Sequence, residues 1–213
     1  LDNDRFAIDV EKWLGRPIVT LKADKYSDHF QVIEKERYIN GPGGAKCTVE
    51  LKKRVRLKFQ EVDDVQYLGY TLEEQDRAER FCKSFPEVSA RFPLIERGLT
   101  KADCVGLIER NGIELPAMYR LGYNNNNCIG CVKGGAGYWN KIRLDFPEAF
   151  QRMAKLERLL GRSCINGRFL DELDTNVGTH KDLAIGCDFV YQAFDPQLGN
   201  ELKAGEEHGP QNS

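Results

Sequence analysis

The sequence predicts an α/β fold with a mainly parallel sheet flanked by helices. Three observations lead there. Apolar stripes at helical spacing alternate along the chain with short runs rich in β-branched and aromatic residues, an order that favours parallel strands joined through helices. Val65-Gln-Tyr-Leu-Gly-Tyr70 reads as a strand and runs into Thr71-Leu-Glu-Glu74, a capping box that opens a helix. With 213 residues, 41% of them hydrophobic and 30% charged, the chain is long enough for one sizeable globular domain.

Residues 5–14 place Phe6, Val10, Trp13 and Leu14 on one helical face, with Gly15 as the stop. Pro17-Ile-Val-Thr-Leu21 reads as a short buried strand, followed by a helix over 28–38 and the loop Asn40-Gly-Pro-Gly-Gly44. A helix over 47–60 stacks Leu51, Val55 and Phe59, with Lys52, Lys53, Arg54, Arg56 and Lys58 around the rest. Those cations make either a solvated face or a phosphate-holding set beside a first turn whose Cys47 and Thr48 face a site.

The helix after Thr71 carries Arg77. Open α/β sheets bind ligands where a strand meets a helix N-terminus, so Arg77 is a candidate anion ligand; its alternative is a salt bridge to Glu73 or Glu74. Phe92-Pro-Leu-Ile-Glu96 reads as a short strand. A helix over 100–110 sets Cys104 on its apolar face with Leu107 and Ile108, where a small core residue is the alternative reading. Asp145-Phe-Pro147 opens an amphipathic helix lined by Phe150, Met153, Leu156 and Leu160 and ended by Gly161. The organisation expected is a main domain over 1–161 and a less regular extension over 162–213, with a polar tail from Gly205.

The net charge of −2 excludes a global basic field for nucleic acid, so such contact would need a local patch. No apolar run approaches the ~20 residues that span a bilayer, and the first residues carry no signal-peptide pattern. Seven cysteines, an odd number, with no sign of secretion suggest a reducing cytoplasm. There Cys128-Ile-Gly-Cys131 reads as metal-binding or redox-active rather than as a structural disulfide. Two thiolates at that spacing can face one metal, and the flanking Asn124–Asn127 and Gly134–Gly137 stretches can wrap a cluster or an anion. His29, His180 and His208 have no spacing that suggests a metal site or triad, and read as structural or surface residues.

Taken together, Cys47-Thr-Val-Glu-Leu-Lys52, Gly69-Tyr-Thr-Leu-Glu-Glu-Gln-Asp-Arg77-Ala78 and Tyr119-Arg-Leu-Gly-Tyr-Asn-Asn-Asn-Asn-Cys128-Ile-Gly-Cys131-Val-Lys133 resemble the phosphoadenosine phosphosulfate (PAPS) reductase-like family, in its phage and bacterial form. That family lies in the adenine nucleotide α-hydrolase, or PP-loop, superfamily. The resemblance covers about residues 5–161. It implies a Rossmann-like sheet that binds ATP or another adenine nucleotide. It also implies an enzyme of sulfur metabolism, an oxidoreductase or a sulfurtransferase acting on an adenylylated or sulfur-bearing substrate. Sulfur transfer to DNA or tRNA is the alternative activity, and a sulfur- or electron-donor protein is an expected partner. Relatives with paired cysteines often carry a 4Fe–4S cluster, so the resemblance implies Cys128 and Cys131 as ligands with Cys47 as the third. Cys104, just upstream of the loop, is chosen as the fourth; Cys164 and Cys187 are its competitors. Zinc needs the same four ligands and stays open.

Two departures qualify the resemblance. The family's Ser-Gly-Gly-x-Asp-Ser phosphate loop is not in the sequence. It would precede residue 1, so the expectation is either an N-terminally incomplete domain or a lost ATP site. The C-terminal catalytic cysteine of true sulfonucleotide reductases is replaced by Gly205-Glu-Glu-His208-Gly209. For phosphate or sulfate binding the candidates are Lys52, Arg77 and Lys133, with Lys141 and Arg143 extending a basic path toward nucleic acid. A different class of reading is a metal-stabilised interaction module without catalysis. An incomplete sheet would expose an edge, which more chain, a partner or a second copy would cover.

Overall fold

A computed structural model describes residues 2–165, 167–179, 181 and 185. The first helix, α1 (Asp2–Leu14), has Asp2 and Asp4 in its first turn and Lys12 in its last, matched to the helix dipole. None of its residues is buried, and Ile8, Trp13 and Leu14 stay exposed, so the predicted stripe does not enter the core. Asp2 anchors the helix: its carboxylate accepts from Ala117 N at 2.5 Å and pairs with Arg5 at 3.2 Å and Arg120 at 3.4 Å. The expected strand at 17–21 does not form, and Ile18, Val19 and Leu21 are exposed. A strand needs a neighbour for its N–H and C=O groups, and the described residues pair no strand with this stretch.

Helix α2 (His29–Glu36) starts where the Asp28 side chain accepts from Gln31 N at 2.7 Å and stops at Arg37, whose φ is 51°. It buries Phe30, Val32 and Ile33. The predicted helix over 47–60 is a continuous helical run in three pieces: α3 (Lys46–Thr48), a π-helical turn (Val49–Lys53) and α4 (Arg54–Phe59).

The sheet is a single parallel pair among the described residues. Strand β1 (Gln66–Tyr67) lies beside β2 (Ala90–Arg91), Gln66 opposite Ala90 and Tyr67 opposite Arg91. The crossover between them is a 3-10 turn (Leu72–Glu74), capped by Thr71 and Glu74 as predicted, and α5 (Gln75–Ser84). Phe81 and Phe85 pack there with Leu68, Tyr70 and Phe92 as a small second core. Among the described residues the protein is thus mainly helical around one short parallel pair, not the larger sheet that was expected. The strand expected at 92–96 is instead a helical turn, α6 (Pro93–Glu96), and the pairing falls just upstream. Pro93 lacks an N–H for a ladder and suits a first helical position.

Helix α7 (Lys101–Arg110) opens on the reciprocal cap of Thr100 and Asp103. After α8 (Ala117–Arg120) comes the Cys-x-x-Cys loop, then α9 (Ala136–Asp145), a helix without a clear apolar stripe in the sequence, and α10 (Pro147–Leu160), closed by Gly161 at φ 62°. The main core packs α2, α9 and α10 through Phe30, Ile33, Trp139, Ile142 and Met153. Cys164, Leu170, Leu173 and Ile185, all beyond residue 161, belong to the same core. Among the described residues no helix is long and apolar enough to cross a membrane.

Candidate functional site

A recess of about 380 Å³, counting its open mouth, lies where the 46–53 helical run meets the Cys-x-x-Cys loop. Cys47, Cys128 and Cys131 line it, together with Lys52, Lys133 and His29. Three of the four predicted metal ligands and two of the three predicted anion ligands therefore converge.

Each wall has a local cause. Cys47 sits in the first turn of α3, set there by the turn Gly41–Gly44, in which Gly44 N bonds Gly41 O at 2.8 Å and Gly44 takes φ 85°. The π turn that follows has Arg54 N bonding Val49 O. Lengthening the hydrogen-bond spacing from four residues to five re-aims the side chains: Leu51 and Lys52 line the recess while Glu50 and Lys53 are buried. Burial first, then the like charges of Arg56 and Lys133, pulls the Lys53 pKa down to about 8. Cations thus crowd this side of the recess.

The Cys128–Cys131 turn is held by one hydroxyl. Tyr138, buried in α9, accepts from Gly130 N at 3.0 Å and Cys131 N at 2.9 Å, and donates to Cys128 O at 2.9 Å. Gly130 takes φ 78°, and its carbonyl lies 3.1 Å from His29 Nε2. His29 is buried, and that burial pushes its pKa down, so its neutral ring holds the turn. His29 is a buried residue, not a surface one, and forms part of the recess wall.

The side chains of Asn125, Asn126 and Asn127 tie the loop to the protein. Asn125 and Asn127 donate to Ile185 O at 3.0 and 2.8 Å, Asn126 reaches Asn3 at 2.9 Å, and Lys101 Nζ binds Asn125 Oδ1 at 2.6 Å.

Cys104 is not among the residues lining the recess. It lies on α7, where burial and the carboxylates of Asp103 and Glu73 raise its pKa. Cys164 is the thiol that joins the others. It is buried in the core that holds Cys131, and Cys47 packs against that core. Burial, then Glu157, then Cys131 and Cys47 raise its pKa well above the usual thiol value. Asn40 bridges the two segments, its Nδ2 donating to Val132 O at 2.8 Å and to Cys164 O at 3.5 Å. A sequence signal for this was present: Glu157 falls on the apolar face of α10, four residues after Met153, just before the Gly161 stop and Cys164. Cys187, His180 and His208 lie outside the described residues.

Arg77 is not among the lining residues either. It pairs with Glu74 and stacks over the Tyr70 ring at 4.8 Å, as in the salt-bridge alternative. Lys141 pairs with Asp145 at 2.9 Å, and Arg143 donates to Leu170 O and Leu173 O at 3.1 and 2.9 Å, so both hold the fold together.

Among the described residues no group of three or more histidine, cysteine or acidic side chains already stands in metal-binding geometry. The donor chemistry nevertheless suits a soft metal: three thiols on the recess, a fourth beside it, and lysines to balance thiolate charge. Compared with protein-family models, curated proteins and solved structures, the chain matches none.

Proposed function

We propose that this chain is a PAPS reductase-like protein of sulfur chemistry whose recess binds a 4Fe–4S cluster through Cys47, Cys128, Cys131 and Cys164. The observation that supports it most is the meeting of Cys47, Cys128 and Cys131 with Lys52 and Lys133 on one recess, with Cys164 buried in the core that holds Cys131 and that Cys47 packs against. Cys164 takes the place first given to Cys104. The parallel pairing of β1 with β2 through a helical crossover is the element of an open α/β sheet that the Rossmann-like reading requires.

A bound cluster would supply electron transfer at a site open to solvent on one side. The chain's own residues do the rest. Four thiolates hold the metal, and the Tyr138 hydroxyl fixes the loop that presents two of them. Lys52 and Lys133 hold the anionic group of an adenine nucleotide or sulfur-bearing substrate at the mouth, within the positive field of Lys53 and Arg56.

The test is anaerobic purification of the chain with iron, sulfide and zinc quantified beside an absorption spectrum. The expected result is about four irons per chain and a broad band near roughly 400 nm. Both are lost in Cys128→Ala and Cys164→Ser and kept in Cys104→Ser. One zinc and no colour would refute the cluster and leave a metal-stabilised interaction module.

A further inference from the structure

Glu157 is the one fully buried carboxylate of the main core among the described residues. It lies three residues before the Leu160 end of α10, inside a face otherwise made of Phe150, Met153 and Leu156. One carboxylate oxygen accepts from Cys164 N at 2.5 Å and the other from Leu170 N at 2.6 Å. The same residue's backbone carbonyl accepts from Arg162 N at 3.2 Å. A carboxyl acceptor buried among apolar groups is tolerated only where it answers donors that would otherwise be orphaned. Here it answers both ends of the 164–170 segment. Within that segment Ile165 pairs with Arg168 in an antiparallel bridge.

We propose that Glu157 is the positioning residue of Cys164: it clamps the 164–170 segment onto α10 so that the thiol stays beside Cys47 and Cys131. This rests on the thiol-recess reading above. Asn40 completes the clamp from the other side by bonding the Cys164 carbonyl, so the residue is held at both its N–H and its C=O. The Glu157 carboxylate also bonds the Cys164 thiol itself and adds to the burial that raises its pKa, so the same side chain holds both the backbone and the sulfur of this residue.

The test follows alkylation of each cysteine by iodoacetamide in the full chain, read by peptide mass spectrometry, with thermal unfolding measured beside it. The variants are Glu157→Ala, Glu157→Gln and, as a packing control on the same helix, Leu156→Ala. The expected result is a rise of at least about tenfold in Cys164 alkylation in Glu157→Ala. Glu157→Gln, which keeps one acceptor oxygen, should give a smaller rise. Leu156→Ala should leave Cys164 protected even where its Tm falls as far. Cys164 alkylated equally in Leu156→Ala, or unchanged in Glu157→Ala, overturns the proposal. A wild-type chain without iron that still gives the expected alkylation pattern defeats the cluster reading and leaves the clamp standing.

Discussion

Removing the Tyr138 hydroxyl tests the architecture of the thiol loop directly. A phenolic hydroxyl has one proton and two lone pairs, and Tyr138 uses all three, on Cys128 O, Gly130 N and Cys131 N. Tyr138→Phe keeps the ring contacts with Tyr123 at 5.8 Å and Trp139 at 5.6 Å, so little packing is lost. What changes is two buried N–H groups left without an acceptor, each costing about 1–3 kcal/mol. Cys128 is exposed, so water can replace the donor to its carbonyl. The expected destabilisation is about 3 kcal/mol, or roughly 6–12 °C in Tm for a chain of this size. Urea unfolding followed by tryptophan fluorescence should show a lower midpoint with an unchanged slope. Tyr123→Phe is the control: it gives up only the bond to Asp145 at 2.8 Å and should lose about 1 kcal/mol. A Tyr138→Phe effect no larger than the Tyr123→Phe effect would refute the claim that this hydroxyl organises the loop.

Two further outcomes follow from local geometry. A Cβ on Gly134 would lie 2.0 Å from Tyr138 Cδ1, so Gly134→Ala should destabilise by about 1–3 kcal/mol. Gly69→Ala, with nothing within 4 Å, should change the urea midpoint little. Glu36 accepts from the Tyr26 hydroxyl and pairs with Lys25 and Lys46, which holds its carboxyl down at about 2, below the ordinary 4.5. A carboxyl with a depressed folded-state pKa stabilises the fold above its unfolded value, and loses that stability as pH falls through the folded value. The stability gap between wild type and Glu36→Gln should therefore be full above about pH 5 and shrink toward pH 2; a gap constant over that window would contradict the assignment.

The helices were legible in the sequence because their signals are local. Asp28, Thr71, Thr100 and Gly161 cap or stop helices where the sequence placed them. The strands were less so. Residues 17–21 have the composition of a strand, yet pairing depends on a neighbour that no local pattern supplies. At 92–96 the proline decided for a helical turn. Arg77 looked like an anion ligand from its place after a strand, but Glu74 lies one turn earlier and pairs with it.

By itself the sequence determined the chemistry to look for: a Cys-x-x-Cys pair, a cysteine opening a basic helix, and lysines next to both. Those residue types carry their ligand preferences wherever they sit. Only the tertiary structure decided which of them meet. Cys104 is the nearer thiol along the chain, but α7 carries it away from the recess lining. Cys164, thirty-three residues after Cys131, returns because α10 runs out and Glu157 folds the next segment back. Sequence distance measures chain length, while which side chains meet depends on where buried hydrogen bonds close the path.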